Sequence, residues 1–101
     1  MHIITRTKLR LYWKKHPDSQ NSLQLWYTRA KNAHWQNIAE VRQVYPSADK
    51  VSRLTVFNIR GNAYRLIVRI EYARQEIYIR HILTHAEYDK EDWKNDPWYH
   101  V

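Results

Sequence analysis

Tyr64-Arg65-Leu66-Ile67-Val68-Arg69-Ile70-Glu71-Tyr72 is the stretch that decides the fold. Successive side chains of a strand point to opposite faces. Tyr64, Leu66, Val68, Ile70 and Tyr72 therefore share one face, and Arg65, Ile67, Arg69 and Glu71 share the other. The first set is apolar enough to meet a core, and the side carrying Arg65 and Arg69 is expected to look outward. Upstream, Leu54-Thr55-Val56-Phe57-Asn58-Ile59 is rich in β-formers. Gly61-Asn62 between the two runs signals a tight hairpin, since glycine reaches positive φ without steric cost. It is the only glycine in the chain. Downstream, Ala73-Arg74-Gln75-Glu76 turns the chain, Ile77 to Leu83 forms a last strand, and Thr84 ends it.

Helices precede this meander. Met1 to Ile4 reads as a short edge strand. Thr5 or Thr7 is placed to cap a helix that runs to about His16, with Leu9, Tyr12, Trp13 and His16 near one face. Pro17 stops it and Asp18-Ser19 starts the next. Leu23, Trp26, Tyr27, Ala30 and Ala33 then follow the spacing of an amphipathic stripe. Asn37 with Glu40 three residues on has the form of an N-cap. Ile38, Val41, Val44 and Tyr45 give a third helical face, ended by Pro46. The expected class is α+β, with N-terminal helices packed on one face of a small antiparallel β-sheet in a single domain.

Composition bounds what such a domain can do. Its 101 residues suffice for one core, and a hydrophobic fraction of 44% argues against disorder. The chain lacks a membrane-spanning run and a signal-peptide core at its start, so a cytoplasmic protein is expected. Cysteine is absent, which excludes disulfides and thiol chemistry. Seventeen Lys and Arg against ten Asp and Glu give a formal charge of +7. Such a surface suits a polyanion, nucleic acid first and an acidic protein second.

One cluster carries possible chemistry. Thr84-His85-Ala86-Glu87-Tyr88-Asp89-Lys90 follows the last strand, and Thr84 with Glu87 fits a capping box. That would place His85 in a first helical turn, sharing a face with Tyr88 and Asp89. A titratable imidazole, a phenol and nearby arginines suit ribonucleolytic transesterification. That reaction moves protons at the 2′-OH and the 5′-oxygen and needs positive charge at the phosphorane. Arg65, Arg80 and Arg60 are the arginines within reach of that end of the sheet. No metal or other cofactor is required. His81 and His85 are too far apart along a strand to share an ion, roughly 13 Å at about 3.3 Å per residue. Asp89 and Lys90 read most simply as surface charges, and Arg65 or Arg69 could pair with Glu71 or Glu87. Tyr99-His100 is a second tyrosine–histidine pair, ranked lower because chain ends are often disordered.

The run from Val56 to Ile67, Tyr78-Ile79-Arg80 and Thr84 to Lys90 together resemble the HigB family of type II toxin–antitoxin toxins. Arg6-x-Lys8-Leu9-Arg10, Trp13-x-Lys15-His16-Pro17 and Val44-Tyr45-Pro46-Ser47-Ala48-Asp49 fit as well. The resemblance implies a RelE-like fold and an mRNA interferase that cuts translated mRNA in the ribosomal A site. It implies as partners mRNA, the ribosome with its 16S rRNA, and a HigA-type helix-turn-helix antitoxin in a heterotetrameric complex. By motif, Arg65 corresponds to a mid-sheet arginine, and Arg80, His85 and Tyr88 occupy places of phosphate-binding and acid/base groups. Arg65 and Arg80 would stabilise the phosphorane, and His85 would move protons with Tyr88 as helper or stacking platform. Arg60, Arg69 and Lys90 would add RNA contacts. Lys8, Arg10, Lys14, Lys15, Arg29 and Lys31 would form a basic helical surface for ribosomal RNA. The tail from Glu91 to Val101 matches nothing in that pattern and could pack on the body or reach a partner. Two rival readings differ in kind: a ParE-like toxin that inhibits gyrase by protein contact, and a nucleic-acid-binding module without activity.

Overall fold

A computed structural model describes residues 1–100. The elements are β1 (His2–Ile4), α1 (Thr7–Lys15), α2 (Gln20–Asn32), α3 (Ile38–Val44), β2 (Asp49–Val51), β3 (Leu54–Ile59), β4 (Tyr64–Glu71), β5 (Glu76–Thr84) and α4 (His85–Asp89). A 3₁₀ turn at Pro17–Ser19 leads into α2, and two more, Asp92–Asn95 and Pro97–Tyr99, form the tail. The sheet order is β1-β5-β4-β3-β2. The meander is antiparallel throughout, and β1 alone joins it in parallel, beside the start of β5. β2 is a strand that the Ser47-Ala48-Asp49-Lys50 stretch did not announce. It is three residues long and owes its extended form to pairing with β3.

The helix-side core forms as the alternation requires. Tyr64, Leu66, Val68 and Ile70 of β4 are buried with Leu9, Leu23, Trp26, Ala30 and Val41 of the helices. Phe57 sits at its centre, ringed by Trp26, Trp35 and Tyr45 at centroid distances of 5.5, 6.4 and 5.4 Å. Aromatic pairs at such spacings add directional preference to ordinary area burial. Asn37 caps α3 by accepting from Glu40 N, while the Glu40 carboxylate accepts from Gln36 N, one residue before the cap.

The start of α1 differs from expectation. Its N-cap is Arg6, without a side-chain cap, and not Thr5 or Thr7. Thr5 has φ of 65° and its hydroxyl donates to Ile79 O at 3.3 Å. The hydroxyl is thus spent on the sheet edge and is not available to the helix.

The second face of the sheet is the larger departure. It does not look outward but carries its own core of Leu54, Val56, Ile67 and Trp93, with Tyr88, Leu83, Trp98 and Tyr99 packed against it. Alternation correctly set Ile67 on this side. The roof comes from α4 and the tail, whose Trp93 is buried and whose indole N–H donates to Tyr88 O at 3.1 Å. Tyr99 is anchored too, its carbonyl accepting from Arg53 N and from the Ser52 hydroxyl. The tail therefore packs on the body, with Tyr99 part of that packing.

Candidate active site at the end of the sheet

Two local devices build the site. The first is the β3–β4 hairpin. Arg60 and Gly61 both adopt left-handed backbone, φ 51° and 61°, and the turn closes through Ala63 N donating to Arg60 O. The Tyr64 hydroxyl donates to Asp18 at 2.5 Å, and Arg60 pairs with the same carboxylate at 3.1 Å. Tyr64 also meets Tyr12 and His16 edge-on, so the hairpin is tied to α1. The second device is the capping box. Thr84 Oγ1 accepts from Glu87 N at 3.2 Å, and Glu87 Oε1 accepts from Thr84 N at 2.9 Å. These bonds, led by the Thr84 backbone, hold the Glu87 carboxyl below its ordinary value. The box ends β5 and starts α4, and His85 N reaches across to Ala63 O of the hairpin.

The two devices bring Arg65 and His85 together. Arg65 Nη2 lies 3.1 Å from His85 Nδ1. Arg65 is buried, and its Nη1 donates to the carbonyls of Asn62 and Tyr64 at 3.2 and 3.1 Å. Its Nη2 also donates to the Asn62 side-chain oxygen. A guanidinium has donors only and keeps its proton, so His85 Nδ1 is the acceptor. The ring proton in this geometry then sits on Nε2, which faces Asp89 Oδ2 at 3.2 Å. Asp89 is thus an orienting partner of His85 and not a lone surface charge. Beneath Arg65 lies the Tyr88 ring, 5.2 Å from the guanidinium carbon and stacked on Trp93 at 5.3 Å. Burial, the largest influence, pushes the Tyr88 hydroxyl above its ordinary value, so it stays protonated.

Arg80 is held elsewhere. Ile67 pairs with His81 and Val68 with Ile79, so Arg80 is the extra residue of a β-bulge. The bulge breaks alternation and lets Arg80 and His81 both reach the Asp96 carboxylate. Arg80 binds it through Nε and Nη2 at 2.9 and 2.8 Å, and His81 Nε2 lies at 2.6 Å. Trp98 covers the Arg80 guanidinium, 4.0 Å from carbon to ring centre. Burial alone would raise the Asp96 carboxyl, but Arg80, the Trp98 N–H and His81 outweigh it and hold it at about 2. The expected gathering of Arg80 with Arg65 and His85 is therefore replaced by an ion pair with the tail. Leu83, the residue opposite Arg65, lies three positions from Arg80, roughly 10 Å along a strand.

The remaining expected contacts spread around this centre. Lys8 and Lys15 of α1 line a groove of about 350 Å³ with Arg80, His81 and Leu83. Lys90 lines a neighbouring one with His81, Leu83, Glu87 and Trp93. Arg69 pairs with Glu71 at 2.9 Å, further from the hairpin. Arg10 and Lys14 are exposed on α1. Among the described residues no group of three or more His, Asp or Glu is placed to hold a metal ion, and no helix is long and apolar enough to cross a membrane. Asn62 and Asp96 were missed as site-building residues, and Asp89 was placed on the face of His85 but read as a surface charge. Asn62 was legible only as a turn residue, and Asp96 only through a bulge that no local pattern announced.

The helical layer on one face of the meander is a RelE-like arrangement. Comparison with known proteins agrees. Residues 19–91 match the HigB toxin family, described as the RelE-like toxic component of a toxin–antitoxin system. The mRNA interferase toxin HigB of Escherichia coli K12 is 30% identical over 92 residues, 88% of each chain. The mRNA interferase HigB of Shigella flexneri gives the same figures. That of Escherichia coli O6:H1 is 29% identical over 93 residues, 89% of this chain and 90% of the relative. The chain belongs to the HigB toxin family, and membership implies an antitoxin partner.

Proposed function

We propose that this protein is a metal-independent endoribonuclease that cuts translated mRNA on the ribosome and is silenced by a HigA-type helix-turn-helix antitoxin in a heterotetrameric complex. The observation that carries the reading is the 3.1 Å contact between Arg65 and His85. An arginine buried beside an acceptor nitrogen is a phosphate clamp joined to a base. In this mechanism a scissile phosphate takes the Arg65 Nη2 donor that faces His85, and His85 Nδ1 is released. Nδ1 accepts the 2′-OH proton, O2′ attacks phosphorus, and the P–O5′ bond breaks. Arg65 offsets the charge gathered on the phosphorane oxygens. Tyr88, kept protonated by burial, donates to the departing 5′-oxygen. The products are a 2′,3′-cyclic phosphate and a 5′-hydroxyl. Arg80 is assigned to the RNA phosphates of the groove it shares with Lys8 and Lys15. Arg10, Lys14, Arg60, Arg69 and Lys90 are assigned to further RNA contacts.

The relatives' names support the substrate, since they are called mRNA interferases. End-group analysis of RNA cut by purified protein on programmed ribosomes tests the chemistry. Cyclic phosphate ends insensitive to chelator are expected. 3′-Hydroxyl ends, or cutting abolished by chelator, would overturn it.

A further inference from the structure

β5 is flanked on both sides for only part of its length. β4 accompanies it as far as Thr84, but β1 pairs only with Glu76, Ile77 and Tyr78. The chain then leaves the sheet, and α1 lies beside the strand instead. Thr5 Oγ1 and Lys8 Nζ both donate to Ile79 O, at 3.3 and 3.5 Å, so side chains serve the edge where β1 stops. The capping box closes the far end, where Thr84 N donates to the Glu87 carboxylate. Between these ends, from Arg80 to Thr84, no strand of the described residues lies on the outer side of β5. An open edge presents alternating N–H donors and C=O acceptors, and it is a template for another extended chain.

Beside this edge α1 leaves a groove of about 350 Å³. Lys8, Leu11, Tyr12 and Lys15 form its helical wall, and Ile82 and Leu83 lie on the strand wall. Leu11 is 57% exposed, the most exposed large apolar side chain among the described residues. No acid lines the groove. Arg80 and His81 border it too but are already held by Asp96. Lys8 and Lys15 pair with no carboxylate among the described residues. The groove thus joins an open strand edge, an apolar wall and two lysines. RNA phosphates only accept hydrogen bonds, so RNA would use the lysines and leave the strand edge and Leu11 without a role. An extended peptide uses all three. Its backbone pairs with β5, its apolar side chains meet Leu11 and Ile82, and its carboxylates reach the lysines.

We infer that the outer edge of β5, from Arg80 to Thr84, is a docking site for an extended peptide segment, acidic and apolar in alternation, that adds a strand to the sheet beside α1. The source of the segment is the antitoxin that family membership implies. This rests on the toxin–antitoxin reading above but not on the cleavage chemistry. Seated there, the segment also covers the groove assigned above to RNA, so silencing would need no contact with Arg65 or His85.

The probe is a blocked heptapeptide of alternating Glu and Val, titrated into isotope-labelled full-length protein and followed by backbone amide NMR. Two further probes carry N-methyl groups on alternate backbone amides, one on the Glu residues and the other on the Val residues. An added strand turns only one of these sets toward β5, so one N-methylated peptide should lose binding and the other should keep it. Shifts should centre on Arg80 to Thr84 and on Lys8, Leu11 and Lys15. Leu11→Ser, at an exposed position, should weaken the peptide about 5-fold and leave affinity for a 2′-O-methyl RNA hexamer unchanged. Equal behaviour of the two N-methylated peptides, shifts confined to other surfaces, or no binding at about 1 mM peptide would overturn the proposal. Loss of hexamer binding in Leu11→Ser would overturn it too, by making the groove an RNA site. Cleavage of unmodified RNA by the peptide-free wild type is scored separately, so a failed nuclease reading is not mistaken for a failed docking site.

Discussion

Arg65 and His85, twenty residues apart in sequence, meet at 3.1 Å because a hairpin and a helix cap converge on the same end of the sheet. Arg65 can only donate, so the contact fixes the imidazole with its proton on Nε2, facing Asp89. Nitrogen-resolved NMR of the neutral His85 ring should therefore show the Nε2–H tautomer. Arg65→Lys, which loses the planar fork, should mix the two tautomers. A wild-type ring protonated on Nδ1 would contradict the contact.

Asn62 positions Arg65 through both its backbone and side-chain oxygens. Asn62→Ala removes the side-chain acceptor from an exposed turn and should leave the fold standing. Cleavage should fall about 10- to 100-fold through misplacement of the guanidinium. The loss should appear in the rate of bound complex and not in RNA affinity, and single-turnover kinetics separates the two.

Thr84 carries the capping box that delivers His85. Thr84→Ala should cost about 1 kcal/mol in urea denaturation, and Thr84→Ser should restore most of it. Activity should follow the same order, since the cap aims His85 at Arg65.

Asp96 clamps the tail to Arg80 and His81. Its carboxyl is lowered from 3.8 to about 2, so the folded state favours the charged form. The pair's contribution is fully present above the unfolded value and is lost as pH falls through the folded one. Stability should therefore drop between about pH 4 and pH 2 by about 2 kcal/mol. Asp96→Asn should flatten that part of the pH–stability curve. It should also destabilise the protein near neutral pH by about 2–4 kcal/mol, since Arg80 loses its anion.

Much of this was legible in the sequence, and what was not has physical causes. Alternation in Tyr64 to Tyr72 is a local property, so the helix-side core of Leu66, Val68 and Ile70 could be read directly. The Thr84–Glu87 cap and the Gly61-Asn62 turn are local as well. The fate of the opposite face depended on whether Trp93 and Tyr99 return to cover Leu54, Val56 and Ile67, a long-range matter. The Arg80–Asp96 pair needed both that return and a bulge at Arg80. Asn62 gained its role only once the Arg65 guanidinium folded back on the turn, whereas the spacing of His85 and Asp89 was legible as a local helical pair.

The central claim is that Arg65 and His85 together cut RNA. RNA end-mapping after brief induction of wild type, His85→Ala and Arg65→Lys tests it most directly, with each variant checked for folding. Ribosome-phased cuts are expected in wild type and should fall at least about 100-fold in both folded variants. Equal cutting by all three would contradict the account and move the active site away from the hairpin and α4. Growth arrest by wild type without cuts would contradict it too, and would favour a toxin that acts by protein contact.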